Sequence, residues 1–204
     1  DGTRANPYIK IRLWPRQEDF SRFIFQQLAD QAEYAVEKSR DVGASYILVM
    51  VAIHQWLFEP GFKSTFASYV ENKVDKRAAP DSLFEKARII LRRLPSWMLP
   101  ASFSFRQHDF FMRIINPETG AVITGEAGEN VGRGGRSTMQ VIDVAAHGDH
   151  AVAVEAGLAG TTDCVGWVST VNGMGNLFAR KRHSILREHQ IFRLHYTDDP
   201  RKTA

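Results

Sequence analysis

Lys38, Arg40, Gly43 and Ser45 stand within the stretch "VEKSRDVGAS", residues 36–45. A cation, a glycine and a hydroxyl between an apolar strand and an apolar helix are the parts of a phosphate-binding loop. Backbone N–H groups and the helix N-terminus face the anion, the cation neutralises it, and the hydroxyl reaches a magnesium ion. The familiar spacing, G-x-x-x-x-G-K-S/T, is met only at its second glycine and its hydroxyl, and Ala44 takes the place of the lysine. The charge would then enter from the strand side, from Lys38 or Arg40. The other reading is an ordinary basic strand-to-helix turn, and the stretch by itself leaves both open.

Two further strand ends carry chemistry. "VIDVAA" puts Asp143 at the end of an apolar run, where a carboxylate can hold magnesium through water or simply cap the next element. The following position, which would suit a glutamate that orients an attacking water, is Val144. "STVNGMGN" follows a third strand: Ser169 and Thr170 can hydrogen-bond a γ-phosphate, while Asn172 and Gly173 suit a turn. In open α/β sheets ligands bind at the carboxyl ends of strands. Three such ends together resemble a nucleoside-triphosphatase core.

The elements that must carry these residues follow from periodicity. Strands are expected over 34–37, 63–68, "TMQVID", "CVGWVST" and 190–196, with a hairpin around "NPETG" in "FFMRIINPETGAVITGEA". Helices are expected over 18–32, 44–58, 81–94 and 150–158, and a loop with a short helix over 172–182. Asp81 or Ser82 can cap the third helix and Pro95 stops it. Residues 95–108, with prolines and aromatics, read as irregular, and "GENVGRGGRS" as a flexible loop with Arg133 and Arg136. Strands alternating with helices predict an α/β fold with three layers around a mostly parallel sheet. Trp56, Trp97 and Trp167 fall in apolar settings and are expected in the core or an interface. Cys164 is expected to be a small packing residue, because nothing near it in sequence would activate a thiol.

Taken in order, the stretches "WPRQ", "EKSRDVGAS", "VD" at 74–75, "LF-K" at 83–86, "LP-WMLP", "NPETG", "TGEAGENVGRGGRS", "ID-AA", "STVNGMGN-F" and "DDPRK" resemble the ATPase domain of the large terminase subunit of tailed bacteriophages. That resemblance implies a P-loop core over 34–200 behind a lead-in and adenine-motif helix over 1–33. It implies ATP and Mg2+ as ligands. Gln17 would read adenine. Lys38, Ser39, Arg40, Asp41, Val42, Gly43, Ala44 and Ser45 would form a divergent Walker A loop, with Arg40 pressing on the phosphates in cis. Asp143 would be the Walker B aspartate, sharing magnesium with Ser45. Ser169, Thr170, Asn172 and Gly173 would couple hydrolysis to movement. The implied partners are double-stranded DNA, a portal protein, a small terminase subunit and copies of the chain in a ring on the prohead, in the host cytoplasm. The chain ends just after "DDPRK", where the family's nuclease domain would begin, so nuclease activity is not expected of it.

The departures are specific. Val144 can neither accept a proton nor polarise water, and loss of a positioned base costs about 10²–10⁴-fold in rate. Weakened hydrolysis is therefore expected, or a hydrolysis-defective or structural remnant from a prophage. His147, Asp149 and His150 in "HGDH" read more simply as solvent-facing than as metal ligands. The bulk numbers bound the rest. With 204 residues, 44% hydrophobic and 24% charged, the chain suits one sizeable packed domain. A net charge of +3 permits nucleic-acid contact without demanding it. One cysteine excludes an internal disulfide and fits a reducing cytosol. No apolar run approaches the roughly 20 residues of a membrane span.

Overall fold

The computed structural model describes residues 12–202 except 129, 130, 144, 148–150 and 159, and the side chains of 147 and 151–153 are likewise outside the description. Val144, Asp149 and His150 therefore lie outside the described residues. Eight strands form one sheet: β1 (Tyr34–Lys38), β2 (Lys63–Ser68), β3 (Asp109–Phe110), β4 (Arg113–Ile115), β5 (Val122–Ala127), β6 (Met139–Asp143), β7 (Val165–Ser169) and β8 (Ile191–Leu194). Their order is β3-β4-β5-β2-β6-β7-β1-β8. From β5 to β8 every pairing is parallel, and β4 and β3 extend one edge antiparallel. The helices are α1 (Pro15–Ala29), α2 (Ala44–Phe58), α3 (Glu71–Val74), α4 (Leu83–Arg93), α5 (Phe105–His108), α6 (Ala151–Leu158) and α7 (Leu177–Arg180).

Side chains alternate across each strand, and both faces of this sheet are covered. Tyr34, Val36, Phe66, Met139, Val141 and Val168 join the larger core with Phe20 and Ile24 of α1, the apolar residues of α2 and Leu83, Phe84 and Leu91 of α4. Ala35, Ala67, Ile142 and Trp167 point the other way, into a second core with Val154 and Leu158 of α6 and Leu177 and Phe178 of α7. The result is the expected three-layer α/β architecture. No helix among the described residues is long and apolar enough to cross a membrane.

Element ends differ from the sequence reading for local reasons. α1 starts at Pro15 because proline suits a first helical position and the Gln17 carboxamide accepts from the Trp14 N–H at 3.2 Å. It stops before Gln31, whose φ is 48°. Ser82, not Asp81, caps α4, its hydroxyl accepting from the Glu85 N–H at 3.2 Å. The last strand keeps only Ile191–Leu194, since His195 caps a short turn. The first arm of the hairpin is split: Met112 has φ 52° and donates its N–H to Asp75 Oδ2 at 2.7 Å, so the chain kinks between β3 and β4. Residues 96–98 and 105–108, within the stretch read as irregular, form short helical turns. Trp56 and Trp167 are buried as expected, whereas Trp97 is 80% exposed and takes no part in the core.

Candidate nucleotide site

β1 lies between β7 and β8, and α2 carries the chain from β1 past two strands to β2. Connections thus leave in opposite directions around β1, the arrangement that opens a crevice at the strands' carboxyl ends. The 38–45 turn sits there. Gly43 caps α2 with φ +80°, a left-handed value that favours glycine. A Cβ at that position would stand 2.8 Å from Gln17 Nε2. Gln17 itself is buried and its carboxamide is used at both ends: Nε2 donates to the Val42 carbonyl at 3.0 Å and Oε1 accepts from Trp14. In this arrangement Gln17 braces the turn against α1.

α2 begins at Ala44, so the first amides of the helix have no partner within it and face the crevice with the positive end of the helix dipole. Beside them three side chains meet. Ser45 Oγ donates to Asp143 Oδ2 at 3.2 Å, and Lys38 Nζ stands 3.7 Å from Asp143 Oδ1. Both charged side chains are mostly covered, at 17% and 16% exposure. Residues from three elements 98 positions apart in sequence are thus brought to one point.

Arg40 and Asp41 are exposed on the outer side of the turn, with Asp41 at φ 62°. Ser39 faces the chain's end: its N–H donates to the Leu194 carbonyl at 2.9 Å and its Oγ accepts from the Tyr196 N–H at 3.0 Å. Ser169 is fully buried, and its Oγ accepts from the Ala146 N–H at 3.1 Å. Asn172 Nδ2 donates to the Ala146 carbonyl, also at 3.1 Å. Both side chains therefore grip the short helical turn 145–147 that follows Asp143. Thr170 lines a cavity of about 560 Å³ beside the turn, with Glu37, Lys38, Arg40, Arg182 and Arg193. Gly173, at φ +67°, begins the exposed loop that Asn176 closes. Arg133 and Arg136 are exposed, on a loop that the Glu126 carboxylate holds by accepting from the Gly132 and Gly134 N–H groups at 2.6 and 3.0 Å.

The fold that carries these residues has solved counterparts. The large terminase of bacteriophage HK97 superposes with a TM-score of 0.64 at 12% identity, over 91% of this chain and 40% of that one. A large terminase of a thermophilic bacteriophage in complex with ADP gives 0.61 at 12% identity, over 95% of this chain and 47% of that one. A Thermus phage large terminase ATPase domain gives 0.54 at 17% identity, over 90% and 86%. The fold is that of a large-terminase ATPase domain. By sequence, no protein-family profile and no curated protein matches. The chain spans less than half the length of the first two large terminases.

Around the phosphate turn, the terminase fold gathers residues that local sequence spacing did not assign. A cleft of about 600 Å³ runs over the turn, walled by Trp14, Gln17, Tyr46, Pro80, Lys86 and Arg201. Arg201 stacks its guanidinium 4.8 Å from the Trp14 ring centre and pairs with the Asp199 carboxylate at 2.8 Å. Lys202 Nζ donates to the Arg40 carbonyl at 3.0 Å. The signals were present, in "WPRQ", "LF-K" and "DDPRK", but nothing local shows that α4 and the last turn come back to the first strand. Among the described residues no cluster of three potential metal ligands forms, and of "HGDH" only the backbone of His147 is described.

Proposed function

We propose that the chain is the ATP-binding motor domain of a phage terminase large subunit, coupling hydrolysis to DNA packaging into proheads. The observation that carries this reading is the meeting of Ser45, Asp143 and Lys38 at the N-terminus of α2. A hydroxyl and a carboxylate 3.2 Å apart are a fitting pair for Mg2+, one in its inner shell and one reaching it through water. The cleft's volume suits a nucleotide-sized ligand. When bound, Mg2+ neutralises charge on the β- and γ-phosphates. Lys38 and the first amides of α2 hold the phosphate oxygens. Gln17 keeps the turn in place, beside the adenine it would read, and Arg40 reaches the phosphates from the outer side. Ser169 and Asn172, through Ala146, tie the segment after Asp143 to β7 and its following loop, a route by which loss of a phosphate would move that loop.

Double-stranded DNA is the proposed track, met by exposed arginines such as Arg133 and Arg136. A portal protein, a small terminase subunit and further copies of the chain in a ring on the prohead are the proposed partners, in the host cytoplasm. Val144 favours a second reading, in which the domain binds ATP but hydrolyses it poorly, as a hydrolysis-defective or structural remnant from a prophage would.

Phosphate release from MgATP, comparing the chain with Val144→Glu, tests both. Near-silence that the substitution relieves by about 10²-fold or more identifies a site lacking only its base. Full turnover by the original shows that another group does this work. Absence of MgATP binding in a parallel titration refutes the nucleotide reading altogether.

A further inference from the structure

The cleft holds a second lysine. Lys86 lies on α4, next to Ala87 and two positions from Phe84 in the core that α4 shares with α2, and is only 9% exposed. Its Nζ donates to the Asp81 carbonyl at 2.6 Å and stands 5.5 Å from the centre of the Tyr46 ring, on the first turn of α2. An ammonium has three donors and needs compensation when removed from water. The ion pairs among the described residues include none for Lys86, and a neutral carbonyl satisfies one donor. Burial pushes the Lys86 ammonium below the usual lysine range. The fields of Asp143 and Asp81 act in the opposite direction, and Lys73 and Lys38 add repulsion.

Two lysines therefore approach one helix N-terminus from different elements, repelling each other across a cleft. Lys38 arrives from β1 and leans on Asp143, while Lys86 arrives from α4. An anion between them relieves the repulsion and supplies the missing acceptors. The position that would carry a loop lysine is Ala44, so the turn's own cations, Lys38 and Arg40, enter the cleft from its strand side.

We propose that Lys86 is a phosphate-binding residue, taking an oxygen of the nucleoside triphosphate and replacing in space the cation that the turn lacks at Ala44. The inference rests on the nucleotide reading above and adds to it a contact from outside the loop. Lys86 releases or shares its bond to the Asp81 carbonyl as it turns to the phosphate, so ligand binding also bears on the segment that leads into α4.

The test uses the full chain with two probes, MgATP and magnesium tripolyphosphate, the second having no base to recognise. Lys86→Met is expected to weaken both by about 10- to 100-fold, the range of a charge-assisted hydrogen bond. Lys86→Arg is expected to keep most of the affinity. Thermal unfolding separates binding from scaffolding. The ligand-free midpoint of Lys86→Met should stay near that of the parent, while the rise caused by either probe is lost. If Lys86→Met lowers the ligand-free midpoint and retains the full rise, Lys86 only staples Asp81 and the proposal fails. Equal affinity in parent and variant overturns it as well, leaving the nucleotide site intact. A parent that binds neither probe overturns both.

Discussion

Asp143 holds two neighbours at once, Ser45 by a hydrogen bond and Lys38 by charge, so its substitution disturbs more than one function. Asp143→Asn keeps the shape but removes the charge that a magnesium site and Lys38 both use. Magnesium-dependent ATP affinity should fall by about 10- to 100-fold, as for loss of an outer-shell partner, read by titration with and without Mg2+. Gly43 makes a separate demand. Gly43→Ala places a methyl against the Gln17 amide at an unfavourable φ, and urea unfolding should show a loss of about 1–3 kcal/mol. Residue type and spacing alone left Gly43, Ser45 and Asp143 open to ordinary turn and cap readings, and only the order of the stretches along the chain pointed to Ser45 and Asp143 sharing one site. Neither gave Lys86 a role. Its address depends on how α4 turns toward α2, and a lysine beside apolar helix positions reads locally as a solvated edge. Trp97, expected in the core or an interface, is exposed and so has no place in the core.

Helix α4 shows how one element is fixed in register. Arg88 is fully buried and bridges two carboxylates, donating to Asp75 at 2.6 and 2.9 Å and to Asp109 at 3.0 Å. Those partners raise its pKa, so it stays charged. Asp75 follows α3 and Asp109 opens β3, so one guanidinium ties a helix, a turn and the antiparallel edge of the sheet. Arg88→Met removes the charge that Asp75 and Asp109 share, leaving Asp75 the Met112 N–H and Asp109 the ion pair with Arg77 at 3.3 Å, and chemical denaturation should report a loss of about 3–5 kcal/mol. Tyr34 is the opposite case. Its hydroxyl is buried with no hydrogen-bond partner among the described residues, beside Gly166, where a Cβ would stand 2.4 Å from the ring. Tyr34→Phe should therefore be neutral or stabilising by up to about 1–2 kcal/mol in the same measurement, while Gly166→Ala should be strongly destabilising. The types of the longer strands and helices were read correctly from apolar periodicity and turn residues, whereas the four-residue helices α3 and α5 were not. The break at Met112 was not read either, because it goes with a hydrogen bond that the Met112 N–H donates to an aspartate 37 residues away.

Across the whole molecule, burial sets the response to alkali. Burial pushes the Cys164 thiol from 9.0 up to about 12, and raises Tyr34 above its ordinary 10.0. Both groups stay protonated in the fold at pH values where the unfolded chain has lost the proton. Their contribution to stability is therefore full below about pH 9 and declines as the pH climbs toward 12. Unfolding midpoints measured between pH 8 and 12 should fall, less steeply in Cys164→Ala. The strand order was not readable from sequence: periodicity shows that a segment is a strand, not which strand it meets. The position of β1 has a consequence for biosynthesis. Its neighbours come from residues 165–169 and 191–194, far along the chain. The strand that leads into the phosphate turn thus has no pairing partner during most of translation. Contacts of such long sequence separation form late and slowly. A nascent chain released before its last strand would carry every residue of the turn, yet would lack the edge partner of β1 and the Leu194 and Tyr196 groups that hold Ser39.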